Sequence, residues 1–210
     1  MLFVGRRLRK YLLKQNSSKK VILGAGSTSK SGWVSSDIVN TNNYYLNFKK
    51  RWGISNQLTA IYGDMILASL TRQELDSFFR SCHEALVPGG KIRFNTLDFS
   101  RIAKLYLEDS NETQLLLKRH KARGFLGDYP IDLIFHAVCA HESARLGKPV
   151  GSYLHDETVL RNALKSAGFL DIQSHPANKS SDKVFADLEV RKEPIEEIMQ
   201  FAIEASKAKL

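Results

Sequence analysis

Two glycines flanking an alanine, Gly24-Ala25-Gly26, follow the apolar run Lys20-Val21-Ile22-Leu23, and Asp37 closes the next strand-like run from Trp33 to Ile38. A buried strand that opens into a glycine turn lets backbone approach a ligand closely. A carboxylate at the end of the following strand can accept both ribose hydroxyls of an adenosine group. Gly32 lies between the two, so the spacing predicts a nucleoside-type site where open α/β sheets bind ligands, beyond the carboxyl ends of the strands. No Gly-Lys-Ser/Thr follows, which argues against a nucleotide-hydrolysing P-loop, and Ser29 stands where G-x-G-x-x-G needs its third glycine, which weakens the match to a nicotinamide cofactor.

Three further side chains are placed for proton transfer. Asp64 and Asp98 follow sheet strands on the ligand side, and His155 precedes a late helix. Each also has a purely structural reading: Asp98 as a helix N-cap, Asp64 as a solvated turn acid, His155 as a cap of the helix begun at Asp156. His136 and His141 lie five apart around Cys139, which is not the i, i+4 spacing of paired helical metal ligands, and no metal is expected. Ser27 and Thr28 read as turn hydroxyls rather than nucleophiles, since nothing around them resembles a nucleophile elbow. Tyr44, Tyr45 and Trp52 beside Lys49, Lys50 and Arg51 resemble single-stranded nucleic-acid sites, but a core edge or substrate rim fits a nearly neutral body better.

These residues need a frame. Strand character recurs at residues 20–23, 33–38, 44–46, 58–62, 91–95 and 169–173, and Ile198 to Ile203 forms a last strand or part of a helix. Thr71-Arg72-Gln73-Glu74 is a capping box, with Leu75, Phe78, Phe79, Cys82 and Leu86 on one apolar face behind it. That helix is expected to stop at Pro88-Gly89-Gly90. From Phe99 to about Lys148 the chain reads as irregular helix, including Ile131 to Leu146, too long for a simple crossover and so an inserted lid. Asp156 to Ala167 is a further helix ended by Gly168, and a polar loop begins at Ser174. Strands alternating with helices predict an α/β fold, a Rossmann-like, doubly wound, mostly parallel sheet with helices on both faces.

Of the chain's 31 basic residues, eight precede the first acid, Asp37, so the formal charge of +9 sits mainly at the amino-terminal end. Residues 1–19 form a basic arm in which Val4, Leu8, Tyr11 and Leu12 recur at helical spacing, and residues 20–210 form the domain. An amphipathic basic helix can pack on the domain, lie on an anionic membrane surface or meet a protein partner. The apolar stretch Leu133 to Ala140 falls short of a membrane span, and Cys82 and Cys139 make no disulfide framework. A soluble, cytoplasmic protein follows as the expectation, with the arm as its route to a membrane periphery.

With Gly32-Trp33-Val34 and Asp37, the stretch Ile22-Leu23-Gly24-Ala25-Gly26 resembles the first motif of class I S-adenosylmethionine-dependent methyltransferases, in particular a small bacterial branch associated with surface-polysaccharide biosynthesis. Ala60-Ile61-Tyr62 leading to Leu70-Thr71 is similar to that family's fourth strand and helix entry, and Glu84 to Arg93 with Leu97-Asp98-Phe99 to its leucine-x-proline-glycine-glycine strand entry. Tyr153 to Glu157 and Ala167-Gly168-Phe169 resemble its late helix and exit. The resemblance covers roughly residues 20 to 205. It implies methyl transfer from S-adenosylmethionine to a small-molecule or carbohydrate-like acceptor, with Gly24, Ala25, Gly26 and Asp37 on the cofactor and Gly63, Asp64 and Met65 at its methionine end. It departs at Ile22, where the family usually has an acid or asparagine, and at Met65, Ala68 and Ser69, where it typically has a histidine and then a glutamate-histidine pair. A methyltransferase-like binding or scaffold protein is therefore the alternative, and a nucleic-acid-modifying enzyme guided by the arm a third.

Overall fold

The computed structural model describes residues 7–15, 17–38, 43–108, 110–139, 142–143, 148–149, 153–189 and 198–209. A seven-stranded sheet runs in the order β3-β2-β1-β4-β5-β9-β8, built from β1 (Lys19–Leu23), β2 (Trp33–Asp37), β3 (Tyr44–Tyr45), β4 (Leu58–Asp64), β5 (Leu86–Leu97), β8 (Leu170–Pro176) and β9 (Gln200–Ser206). Strands β1 to β5 are parallel, and β9 runs antiparallel to both β5 and β8. The α/β, mostly parallel frame read from the sequence is the one observed. Its strand order reverses between β1 and β4, where Leu23 pairs with Gly63, and such reversals are where open α/β sheets commonly bind ligands.

Alternation along the strands divides the core in two. Val21 and Leu23 of β1, Ile92 and Phe94 of β5 and Ile203 of β9 face a large cluster that takes in α1 (Leu8–Leu12), α2 (Arg72–Ala85) and α6 (Glu157–Ser166). Phe78 sits at its centre, with ring centroids 5.2 Å from Phe94, 5.3 Å from Phe79 and 5.9 Å from Trp52. Leu8 and Leu12 are buried in this cluster and Tyr11 stacks on Tyr44 at 4.4 Å, so the apolar face of the amino-terminal helix is spent on the domain. Trp52 and Tyr44 are likewise core and core edge, while their cationic neighbours Lys49, Lys50 and Arg51 are exposed.

The opposite face is covered differently. Ile22, Ala25, Ala60 and Tyr62 pack there against Phe185 and Leu188, which belong to a strap over residues 177–189 containing a 3-10 turn at Lys183–Phe185. Helices α1, α2 and α6 pack on the first face, and the strap covers the second over β1 and β4. It is pinned by a buried ion cluster. Arg93, 1% exposed, gives Nε and Nη2 to the two carboxylate oxygens of Glu189 at 2.7 and 2.9 Å and Nη1 to Glu204 at 2.6 Å. Burial alone disfavours the guanidinium charge, but the two carboxylates outweigh it and hold its pKa above the ordinary value.

Three elements depart from the sequence reading. Helix α2 carries its capping box, with Thr71 Oγ1 accepting from Glu74 N–H and Glu74 Oε2 from Thr71 N–H, but it ends at Ala85 rather than at Pro88. Leu86 is extended and pairs with Leu58, and Lys207 Nζ, just past β9, donates to the carbonyls of His83 and Leu86, satisfying the helix end. Pro88-Gly89-Gly90 then forms an irregularity inside β5. The segment after β5 folds as α3 (Phe99–Glu108), α4 (Asn111–Ala122) and α5 (Ile131–Cys139) around its own core of Leu97, Ile102, Leu105, Leu116, Leu133 and Ala137. Helix α5 ends at Cys139 instead of running to Leu146, because Glu142–Ser143 (β6) pairs antiparallel with Lys148–Pro149 (β7). His141 and Leu146 lie outside the described residues, as does Val4 of the arm. Strand β8 continues to Pro176, past the Ser174 expected to open a loop, because His175 and Pro176 pair with Ala202 and Phe201 of β9. No helix among the described residues is long and apolar enough to cross a membrane.

Breaking a buried ion pair strands a charge, whereas an exposed pair is screened. Glu189→Ala should therefore cost about 3 kcal/mol in urea unfolding, while Arg51→Ala, which breaks the exposed Arg51–Glu84 pair, should cost less than about 1 kcal/mol. Equal losses for the two variants would contradict the assignment of the strap's anchor.

Candidate functional site

The turn after β1 is stitched to the end of β2. Ala25 N–H donates to Ser36 O at 3.0 Å, Gly26 N–H to Asp37 Oδ2 at 2.8 Å, and Asn43 Nδ2 to Gly26 O at 2.9 Å. Beneath them the buried Ser36 hydroxyl reaches Ile22 O at 3.0 Å. Both polar groups of Gly26 are thus held, and a Cβ built on it meets nothing within 4 Å, so open space lies beside it. Asp37 is partly exposed at the rim of that space. A carboxylate, an amide and an open glycine face converge here as a ribose-type ligand needs, and Asn43 is a member that the aperiodic polar stretch around it gave no way to single out.

The crevice between β1 and β4 has a different character. A Cβ on Gly24 would lie 2.6 Å from Ile66 Cγ2, and one on Gly63 would lie 2.6 Å from Ile66 Cδ1 and 2.9 Å from Phe94 Cδ1. Both glycines are crowded by the side chain of Ile66, which packs over the ends of the two strands, and Gly24 also needs its positive φ of 59°. Met65, with φ of 58°, makes the sharp turn out of β4 that delivers Ile66, held by Met65 N–H to Asn95 O at 2.8 Å. The glycine pair read as a ligand cradle is closed by an isoleucine at its base.

At the carboxyl ends of β4, β5 and the start of β9, Asn95 Nδ2 donates to Asp64 Oδ1 and to Gln200 Oε1, both at 2.9 Å. Asn95 is fully buried and its Oδ1 finds no donor. This polar rung lies in an apolar strand, and its signal was Asn95 between Phe94 and Leu97, where a core residue is expected. Asp98, 7% exposed, is committed elsewhere: its Oδ1 accepts from Ser100 N–H at 3.0 Å and from Ser100 Oγ at 2.6 Å, and its Oδ2 pairs with Arg101 Nε at 3.1 Å. That is the capping role weighed for it. His155 is 4% exposed, its Nε2 lies 2.9 Å from Leu70 O and its Nδ1 has no partner, while Asp156, not His155, caps α6 through Val159 N–H. Burial pushes the His155 imidazole below its ordinary pKa despite the opposing Leu70 carbonyl, so the ring is neutral near pH 7.

The candidates therefore fall into two groups. Gly24, Ala25, Gly26 and Asp37 gather at the ends of β1 and β2, and Gly63, Asp64 and Met65 at the end of β4, next to one another across the β1–β4 pairing. Asp98 and His155 are each held by local contacts. Cavities of about 460 and 400 Å³ lie elsewhere, the first at the amino-terminal end of β5 around Lys91 and Lys209, the second beside Arg93 and Glu189 under the strap. Among the described residues no group of three or more His, Cys, Asp or Glu side chains is placed to hold a metal ion.

No protein-family model and no curated protein matches the sequence. Solved structures do match the fold. The chain superposes on a SAM-dependent methyltransferase from Methanosarcina mazei with a TM-score of 0.54 at 14% identity, covering 99% of this chain and 100% of that one. An S-adenosylmethionine-dependent methyltransferase from Mesorhizobium loti gives 0.52 at 16%, covering 94% and 95%, and one from Archaeoglobus fulgidus gives 0.53 at 12%, covering 95% and 91%. Against the CurJ carbon methyltransferase it gives 0.50 at 15% and spans about half of that chain, 49%. The shared property is the fold, a mixed, mostly parallel seven-stranded sheet.

The neutral, buried His155 has a thermodynamic consequence. An unfolded chain takes up a proton on histidine near pH 6.5, before the folded one does, so stability is full above that pH and falls as the solution is acidified below it. His83, also lowered, first by burial and then by Lys207, acts in the same direction. Urea unfolding at pH 7.5 and 5.5 should show a smaller acid loss for His155→Gln than for the unsubstituted chain; parallel losses would contradict the burial argument.

Proposed function

We propose that this chain is an S-adenosylmethionine-dependent methyltransferase that modifies a small-molecule or carbohydrate-like acceptor. The observation that carries the reading is the carboxylate of Asp37 at the end of β2, 2.8 Å from Gly26 N–H and beside open space. A carboxylate at this rim is suited to ribose hydroxyls, and Asn43 fixes the turn that presents Gly26. The residues thus fit the adenosine half of the cofactor. At the methionine half, Ile66 sets the floor, so Gly63, Asp64 and Met65 are approached from outside that side chain. A bound S-adenosylmethionine supplies a methyl group on a sulfonium, open to in-line displacement.

The chain's own work is alignment, exclusion of water and, for a hydroxyl acceptor, acceptance of a proton. Asp64 is the residue to which we give that last role. It stands at the end of β4 beside Gly63, with one oxygen oriented by Asn95. We further assign the helical insert, residues 99–148, to shaping the acceptor pocket, since Met65 packs on its core.

The scaffold alternative draws on two facts. Ile22, where the resembling family has a polar residue, lies in the apolar cluster under the strap, and Ile66 fills the space between Gly24 and Gly63. Isothermal titration with S-adenosylhomocysteine separates the readings. Binding that Asp37→Ala weakens by about 10- to 100-fold, the worth of hydrogen bonds to a charged group, is the expected result. Folded protein that binds neither S-adenosylmethionine nor its demethylated product would overturn the proposal in favour of the scaffold.

A further inference from the structure

Large apolar side chains are exposed on this molecule mainly in one place. Of the fourteen that are exposed among the described residues, ten lie between Phe99 and Val138, in the insert formed by α3, α4 and α5. Six fall within the corner joining α4 to α5 and along α5 itself: Phe125 48%, Leu126 56%, Tyr129 69%, Ile131 49%, Phe135 53% and Val138 37%. Ile131, Phe135 and Val138 recur at i, i+4 and i+7, so they form a single stripe, while Leu133 and Ala137 on the other side of α5 are buried in the insert's core. A helix whose inner face is packed and whose outer face is equally apolar is built to meet something besides water.

The surroundings of this surface say what. From Lys118 to Arg123 the chain carries Lys118, Arg119, Lys121 and Arg123 and no acid, directly before Phe125 and Leu126. The acids that follow are turned to local duty: Asp128 pairs with Lys121, and Asp132 Oδ2 accepts the backbone N–H groups of Asp128 and Tyr129 at 2.9 and 3.0 Å. Aromatic and aliphatic side chains edged by lysine and arginine are the composition of a surface that lies in the headgroup region of an anionic bilayer. A second copy of the chain is a poorer occupant, since a two-fold contact would bring this basic edge against itself. The amino-terminal helix is a poorer anchor, because its Leu8 and Leu12 are buried in the main core.

We propose that the α4–α5 corner and the outer stripe of α5 dock this protein on an anionic lipid bilayer, the apolar side chains entering the interface and the basic edge holding the headgroups. Docking stands on this surface alone and does not depend on the reading of Asp37. The full chain should sediment with phosphatidylcholine vesicles containing roughly one-third phosphatidylglycerol, bind pure phosphatidylcholine far less, and dissociate as salt is raised. Leu126→Ser/Phe135→Ser should lower the partition by about tenfold or more, as should Lys118→Glu/Arg123→Glu, whereas Lys10→Glu/Lys14→Glu at α1 should leave it unchanged. Leu126→Trp supplies a direct reading, its emission shifting to the blue on anionic vesicles. Equal binding to neutral and anionic vesicles, no binding to either, loss of binding in the α1 variant alone, or a solution dimer that Leu126→Ser/Phe135→Ser dissociates would each overturn the proposal.

Discussion

The packing of Ile66 over the carboxyl ends of β1 and β4 sets the geometry of the turns that follow them. Neither Gly24 nor Gly63 tolerates a Cβ, because each would come within 2.6 Å of that side chain, and Met65 adopts a left-handed backbone to deliver it. With the base of the crevice closed, the open approach is shifted toward Gly26, and it is there that Asp37 and Asn43 fasten the turn. One packing contact thus decides which glycines answer to the protein's interior and which faces the space beside Asp37.

The remainder of the sheet is finished around this junction by unequal means. One face is buried conventionally beneath α1, α2 and α6. The other relies on a strap, which packs Phe185, Leu188 and the partly buried Val184 against the sheet, and the buried Arg93–Glu189–Glu204 cluster fixes it in place. Such clusters add specificity of placement more readily than net stability, since desolvation offsets much of the attraction. Further polar anchors come from Asn178 N–H on Glu189 at 2.6 Å and Ser181 Oγ on Glu204 at 3.1 Å, so each carboxylate has partners from the strap as well as from Arg93. The insert, by contrast, carries a core of its own and meets the sheet at Leu97, Met65 and Met199.

Local chemistry made part of this legible in the sequence. The capping box at Thr71, the approximate positions of the strands and the placing of Asp37 at the end of β2 are decided by neighbouring residues, and they appear where the pattern put them. What escaped was decided by distant ones. Helix α2 stops at Ala85 because Leu86 pairs with Leu58 and Lys207 caps its end, contacts made across 28 and more residues of chain. Ile66 reads as one apolar residue among several, and nothing nearby tells that Gly24 and Gly63 will close on it. Arg93 sits in a strand where a cation looks solvent-facing until residues almost a hundred positions on fold over it. The polar rung of Asp64, Asn95 and Gln200 is equally non-local, joining three strands. Asp98 and His155 had the right types in the right region, yet their burial and partners give them structural work.

The central proposal is that a nucleoside is held in the open space beside Gly26, at the rim formed by Asp37. Amide chemical shifts of isotopically labelled protein, followed as S-adenosylhomocysteine is added, test it most directly. Saturable shifts should centre on Gly26, Asp37 and Asn43, with the amides around Lys91 and Lys209 at the far end of β5 unmoved. Shifts confined to that far cavity, or none at all in folded protein, would contradict the account.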